Sequence, residues 1–171
     1  MKAAVLTLSD RAAWGEREDT SGPALRDLLV REGWEVERHA ILPDEQDRIE
    51  QVLREWSDSG EVDVILTNGG TGFTARDRTP EATLAVVDRL VPGLPEAMRA
   101  SGRALNPHAM LSRAAAGIRG RTLIVNLPGS PRGAVESLKV ILPALPHAAQ
   151  LLRGDVGSES GHAPPRRRHQ A

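Results

Sequence analysis

Between Val62 and Pro80 the chain reads VDVILTNGGTGFTARDRTP, and this stretch limits the available folds more than any other. Val62–Thr67 is almost wholly apolar and branched, the pattern of a strand buried on both faces, as in a parallel sheet. It opens directly into Asn68-Gly69-Gly70-Thr71-Gly72, where three glycines in four positions leave the backbone nearly bare. Such a backbone can adopt positive φ and let an anion approach its N–H groups. Arg76-Asp77 follow, then Thr79-Pro80, read as N-cap and first residue of a helix. A strand, a bare loop, a charged pair and a helix start form a candidate phosphate or nucleotide site. The same residues also suit a plain tight turn.

The flanking sequence repeats the device. Lys2–Leu8 is an apolar strand running into a polar loop, Ser9–Gly15. Thr20-Ser21-Gly22-Pro23 then start a helix, with Leu25, Leu28 and Leu29 on one face, that ends at Gly33. Trp34–Leu42 alternates in polarity and reads as a strand near a sheet edge. Ile49, Val52, Leu53 and Trp56 recur at helical spacing. Beyond Pro80, the sequence predicts helices over Glu81–Leu90 and Leu94–Leu105, a turn at Asn106-Pro107-His108, and a short helix or turn through Met110–Ala116. Thr122–Leu127 is a third buried strand. Pro128-Gly129-Ser130-Pro131 follow it, with Ser130 as cap of a helix carrying Val135, Leu138, Ile141 and Leu142. Pro143 and Pro146 segment the end, and a last helix reaches about Leu152.

Strands alternate with helices, which predicts an α/β domain with a mainly parallel central sheet and helices on both faces. At 171 residues one domain is expected, over residues 1–153. Residues 154–171, rich in Gly, Ser, Pro and Arg, read as a disordered tail. In such sheets ligands bind beyond the carboxyl ends of the strands. Ser9–Gly15, Asn68–Asp77 and Pro128–Ser130 all follow strands, so they are expected on one rim.

Composition removes several alternatives. There are 22 basic and 23 acidic residues, a net charge of −1, which gives no electrostatic case for nucleic acid. With three Trp, one Phe and no Tyr, stacking on single strands is not expected. No apolar run is long enough for a membrane span, and Met1 leads straight into a strand without a secretory leader, so a cytoplasmic location is expected. The absence of Cys excludes disulfides and thiolate metal sites. The five His show no pair at zinc-ligand spacing, and Arg166-Arg167-Arg168 reads as a solvated end. Gly70-x-Gly72-x-x-Ala75 fits a dinucleotide fingerprint, but the helix begins too late for that use. No Gly-Lys pair exists, so there is no P-loop.

Each candidate residue has a structural alternative. Asp77 is either a solvated partner of Arg76 or Arg78, or a carboxylate holding a divalent cation beside phosphates. Asp44 is either an N-cap for the helix after it or a second carboxylate on the same rim; with a phosphate the two would make a Mg²⁺ site. Ser9-Asp10 suit turn chemistry, Ser130 a cap, Pro128-Gly129 a turn, and Ser112 a helix start.

Taken together, LTLSDRAAWGEREDTSGPAL, LPDEQ, ILTNGGTGFTARDRTPEAT, PGLPEAMR, AMLSRAAAGIRGRTLIVNLPGSP and ILPALPHAAQLLRGD resemble the molybdenum-cofactor proteins of the MogA/MoaB type. The same domain occurs as the G domain of gephyrin and in a plant counterpart. The resemblance spans about residues 3–155, and the combination of GGTG…RD.TPE, LSR..AGIRG and NLPG.P carries it. It implies a three-layer αβα domain that assembles as a trimer. It also implies a molybdopterin adenylyltransferase, using ATP, molybdopterin and Mg²⁺, whose product passes to a MoeA-type metal insertase. The resemblance maps catalytic, metal-holding aspartates onto Asp44 and Asp77, which favours the site reading of Asp44 over the cap. It maps substrate-binding positions onto Ser9, Asp10, Gly69, Gly70, Thr71, Gly72, Ser112, Asn126, Pro128, Gly129 and Ser130. Family members often carry Asn or Gln where this chain has Ser130. A non-catalytic pterin-binding or assembly module of the same fold is the alternative, and a nucleotide-cofactor domain is a weaker third.

Overall fold

The computed structural model describes residues 1–154; the tail expected over 154–171 otherwise lies outside the described residues. Six strands form one sheet. They are β1 (Lys2–Leu8), β2 (Glu35–Leu42), β3 (Val64–Asn68), β4 (Arg89–Leu90), β5 (Ala116–Arg119) and β6 (Thr122–Leu127), in the order β2-β1-β3-β6-β5-β4. The first four in that order are parallel, and β5 and β4 are added antiparallel. Helices α1 (Asp10–Ala13), α2 (Ser21–Arg31), α3 (Gln46–Asp58), α4 (Thr79–Val86), α5 (Gly93–Leu105), α6 (Pro131–Ile141) and α7 (Leu145–Arg153) complete the chain, with short 3₁₀ turns at Pro107–Leu111 and Leu142–Ala144.

Strand alternation builds the three layers. Val5, Val64, Leu66, Leu123 and Val125 face a core shared with Leu25 and Leu29 of α2, Met98 of α5 and Leu138 of α6. Ala4, Leu6, Ile65 and Ile124, one residue out of step, face Ile49 and Leu53 of α3 and Ala82 of α4. Successive side chains point to opposite faces, so continuous apolar runs feed two cores. The α/β reading with a mainly parallel sheet and helices on both faces is therefore what the chain adopts. Edge strand β2 alternates between exposed and half-buried along its whole length, as its polarity pattern indicates.

Register brings the ends of the parallel strands level: Leu42 pairs with Leu8, Thr7 with Asn68, and Asn68 with Leu127. Every loop leaving these ends therefore starts from one rim, as expected.

Four local readings change. Ser9–Gly15 is not an open loop: Asp10–Ala13 form one helical turn, and Ser9 Oγ accepts from Ala12 N–H at 3.3 Å. The helix after Pro80 stops at Val86 rather than Leu90, and Arg89–Leu90 pair with β5 as an edge strand. The short helix or turn expected through Met110–Ala116 is instead a 3₁₀ turn over Pro107–Leu111, followed by irregular chain up to β5 at Ala116. Thr79 is a first helical residue rather than the cap, and its hydroxyl donates to the Gly69 carbonyl at 2.8 Å. Ser130 does cap its helix, accepting from Gly133 N–H at 3.2 Å.

Candidate active site

The glycine loop is shaped by close approach. Gly69 has φ +105°, and a Cβ there would run into the Leu8 carbonyl oxygen; Gly70 has φ +60°, and a Cβ there would overlap Thr79 Oγ1 and lie 3.0 Å from Asp44 Oδ1. Both requirements exclude other residues. Gly69 N–H is used on the Leu127 carbonyl at 3.2 Å, which ties the loop to the end of β6. The N–H groups of Gly70, Thr71 and Gly72 have no acceptor among the described residues. Gly129 lies against Gly69, and a Cβ on it would sit 3.2 Å from Gly69 Cα.

Beside the loop stand three aspartates. Asp10 and Asp44 bond each other's backbone: Asp10 N–H donates to Asp44 Oδ2 at 2.9 Å, and Asp44 N–H donates to Asp10 Oδ1 at 3.0 Å. Arg76, from the glycine loop, donates through two nitrogens to Asp10 at 2.9 and 2.7 Å. That hydrogen-bonded guanidinium holds the Asp10 carboxyl below the usual carboxylate range. Asp44 moves the other way. Burial raises it, and the neighbouring charges of Asp10 and Asp77 add to the rise. Its Oδ1 is buried with no hydrogen-bond partner. Asp44 is thus not the helix cap, a position held by Glu45. Asp77 accepts at Oδ2 from Thr74 N–H at 2.7 Å, and that carboxylate fills the space beside Gly72 that a Cβ would enter.

A groove of about 550 Å³ runs from Thr71 and Gly72 between α5, the Pro107–Leu111 turn and α6, with Ser112, Pro128 and Ser130 on its walls. That volume is in the range of small-molecule sites. On the other side of Asp77 lies a second cleft, about 440 Å³, lined by Phe73, Arg78, Glu81 and Arg113 among others.

The structure therefore gathers Asp10, Asp44, Gly70, Thr71, Gly72 and Asp77 around the loop, and Ser112, Pro128 and Ser130 along the groove. Three candidates carry contacts within the frame. Gly69 is locked against Leu8 and Leu127, and the Ser9 hydroxyl caps α1. Asn126 is 0% exposed, with its amide spent on Ala115 N–H, Thr67 Oγ1 and Thr83 Oγ1. Two further residues stand at the site's edge. Arg113 and Glu81 are ion-paired across the second cleft, and Arg113 also reaches the carbonyls of Gly72 and Asp77. Both lie within motifs that carry the resemblance, Glu81 in TPE and Arg113 in LSR, but neither is among the site residues expected from sequence.

Mg²⁺ binds through one or two carboxylates together with phosphate and water oxygens. Asp44 Oδ1, buried and unpartnered beside a bare loop, fits such an ion. No group of three or more His, Cys, Asp or Glu side chains suited to a metal occurs among the described residues. An ion here would draw its remaining ligands from a bound phosphate and water.

An open α/β sheet whose rim joins free backbone donors, carboxylates and a groove of this size has the features of a domain suited to phosphorylated small molecules. Comparison with known proteins narrows this class. The chain belongs to the family described as probable molybdopterin binding domain, which matches residues 4–147. It is 42% identical over 153 residues to the molybdopterin adenylyltransferase of Helicobacter pylori strain J99, covering 88% of this chain and 87% of that one. The crystal structure of the molybdopterin biosynthesis enzyme MoaB from Thermus thermophilus superposes with a TM-score of 0.85 at 54% identity, covering 90% and 96% of the two chains. The molybdenum cofactor biosynthesis bifunctional protein of Chlorobaculum tepidum is 38% identical over 162 residues, which are 95% of this chain and 50% of that protein.

Proposed function

We propose that this protein is a molybdopterin adenylyltransferase of molybdenum-cofactor biosynthesis. An oxygen of the molybdopterin phosphate attacks the α-phosphorus of ATP. The bond to the bridging oxygen of the β-phosphate breaks, and pyrophosphate leaves as adenylylated molybdopterin forms. The observation that carries this reading is the unpartnered, buried Asp44 Oδ1 next to the free N–H groups of Gly70, Thr71 and Gly72. One charge-bearing acceptor without a partner, beside unused donors, suits a ligand that brings both a cation and phosphates.

The chain's own contribution is alignment and charge placement, which is most of what phosphoryl-type transfer asks of a protein. The groove takes the pterin, with Ser112 and Ser130 offering hydroxyls on its walls. The loop N–H groups hold phosphate oxygens where the two substrates meet. Asp44 and Asp77 would hold Mg²⁺, which offsets the charge of the triphosphate. Arg76 holds Asp10, and Asp10 in turn fixes the backbone at Asp44. No side chain need act as a covalent nucleophile.

The protein works in the cytoplasm as a homotrimer and hands its product to a MoeA-type insertase. No helix among the described residues is long and apolar enough to cross a membrane. Exposed Leu90 at the sheet edge, with Leu105, Met110 and Leu111, offers apolar surface for self-association. The match to half of a bifunctional cofactor-biosynthesis protein supports a close partner in the same synthesis.

The test follows pyrophosphate release from molybdopterin, ATP and Mg²⁺, with Asp77→Asn alongside. Release that requires molybdopterin and drops at least about 100-fold in the variant is expected, since one misplaced catalytic group can cost that much. Molybdopterin binding without release in the wild-type protein would instead make it a non-catalytic pterin-binding module.

A further inference from the structure

We propose that Arg113 is a positioning residue for Asp77, acting as a strut between the groove wall and the loop that carries the aspartate. This rests on the adenylyl-transfer reading above. Arg113 directly follows Ser112 of the groove. Its backbone N–H donates to the Thr71 carbonyl at 3.0 Å. Its Nε donates to the Gly72 carbonyl at 2.7 Å and its Nη2 to the Asp77 carbonyl at 2.6 Å. Both terminal nitrogens also face the Glu81 carboxylate, in the first turn of α4. One planar guanidinium therefore spans three points of the segment from Gly72 to Glu81. Burial is the largest influence on the Glu81 carboxyl and works against its charge, but the Arg113 hydrogen bond, a backbone hydrogen bond and the charges of Arg113 and Arg78 together hold the group below its ordinary range.

The strut is anchored behind as well. Arg99 Nη1, from α5, donates to the carbonyls of Ser112 at 3.3 Å and Ala114 at 3.1 Å. Ala115 N–H donates to the buried Asn126 amide at 3.1 Å. The chain on both sides of Arg113 is thus fixed to the groove wall and to β6. The loop it supports has little else. Phe73, Thr74, Ala75 and Arg76 are all exposed, and the remaining ties are the Thr74–Asp77 turn, the Arg78 Nε–Ala75 carbonyl bond at 3.2 Å and the Arg76–Asp10 pair. Lysine offers a single point charge and cannot reach Gly72, Asp77 and Glu81 together.

The experiment titrates Mn²⁺, a spectroscopic substitute for Mg²⁺, into the ATP complex by electron paramagnetic resonance, and measures pyrophosphate release in parallel. In Arg113→Lys we expect Mn²⁺ affinity to fall about 10-fold and kcat by 10-fold or more, with the KM for molybdopterin within about 3-fold of wild type. Glu81→Gln keeps the backbone contacts and is expected to lose about 3-fold in Mn²⁺ affinity. Introduced into Asp77→Asn, Arg113→Lys should cost no further Mn²⁺ affinity, because both changes remove one interaction. Unchanged Mn²⁺ affinity in Arg113→Lys, or a full additional loss on top of Asp77→Asn, overturns the proposal. Should Arg113→Lys not fold, unchanged affinity in Glu81→Gln overturns it. Absent turnover in the wild-type protein counts against adenylyl transfer, and the Mn²⁺ comparison still decides the role of Arg113.

Discussion

At Asp44 the two carboxylate oxygens have different fates. Oδ2 accepts the Asp10 N–H, whereas Oδ1 is buried without a partner. Burial raises this carboxyl, so the fold favours its protonated form. The resulting stability is present below the ordinary carboxylate range and is lost as pH rises through the raised value. At neutral pH the ionised side chain is a standing cost, tolerable if an ion is to neutralise it. Asp44→Asn is therefore expected to abolish adenylyl transfer yet raise the melting temperature at pH 7.5, by about 2–4 °C for each kcal/mol relieved. A melting temperature below wild type would show that the charge is structurally satisfied. For the same reason, at subsaturating Mg²⁺ the acid limb of the rate profile should lie above the usual carboxylate range, since Asp44 must be ionised to hold the ion. A limb within the ordinary range would contradict this assignment.

The glycine loop and its flanking strands were the most legible elements. Val62–Thr67 and Thr122–Leu127 announce buried strands because both faces of the sheet are covered, so every position must be apolar or internally paired. The bare loop follows from Gly69 and Gly70, whose positive φ and close neighbours admit no side chain. This is separable from generic glycine flexibility. Gly60 also has positive φ, at +71°, but a Cβ there meets nothing within 4 Å. Chemical denaturation should therefore show Gly60→Ala costing about 1 kcal/mol, and Gly69→Ala several times more, because the Leu8 backbone must move. Equal costs would mean that the loop is not held by this contact. Other elements were illegible for physical reasons. Arg89–Leu90 is too short to show a period, and β5 is only four residues long with Gly117 inside it. Both are defined by pairing with neighbours rather than by local preference. Arg113 stands in the LSR motif, but its role was not legible there, because it acts on the Gly72 and Asp77 carbonyls 41 and 36 residues away and on the Glu81 carboxylate, contacts that only the fold brings together.

Across the whole molecule, the even register of four parallel strands turns separate loops into one rim. Rim location was readable from strand–loop order alone. The frame contacts of Asn126 and Ser9 were not: Asn126 spends its amide on Ala115, Thr67 and Thr83, and the Ser9 hydroxyl accepts from Ala12 N–H. Self-association belongs at this scale too. Light scattering after size exclusion should give three times the 18.4 kDa chain mass, and replacing Leu90 and Met110 by Glu should shift it toward one. A monomeric wild-type protein would remove the trimer from the account. The central claim is transfer of AMP to a pterin phosphate, and following the α-phosphorus tests it most directly. With ATP labelled at that atom, the label should appear in a molybdopterin product whose mass has increased by one adenylyl group, and Asp77→Asn should yield none. Label recovered only in ATP, or in free AMP with molybdopterin unchanged, would contradict the account.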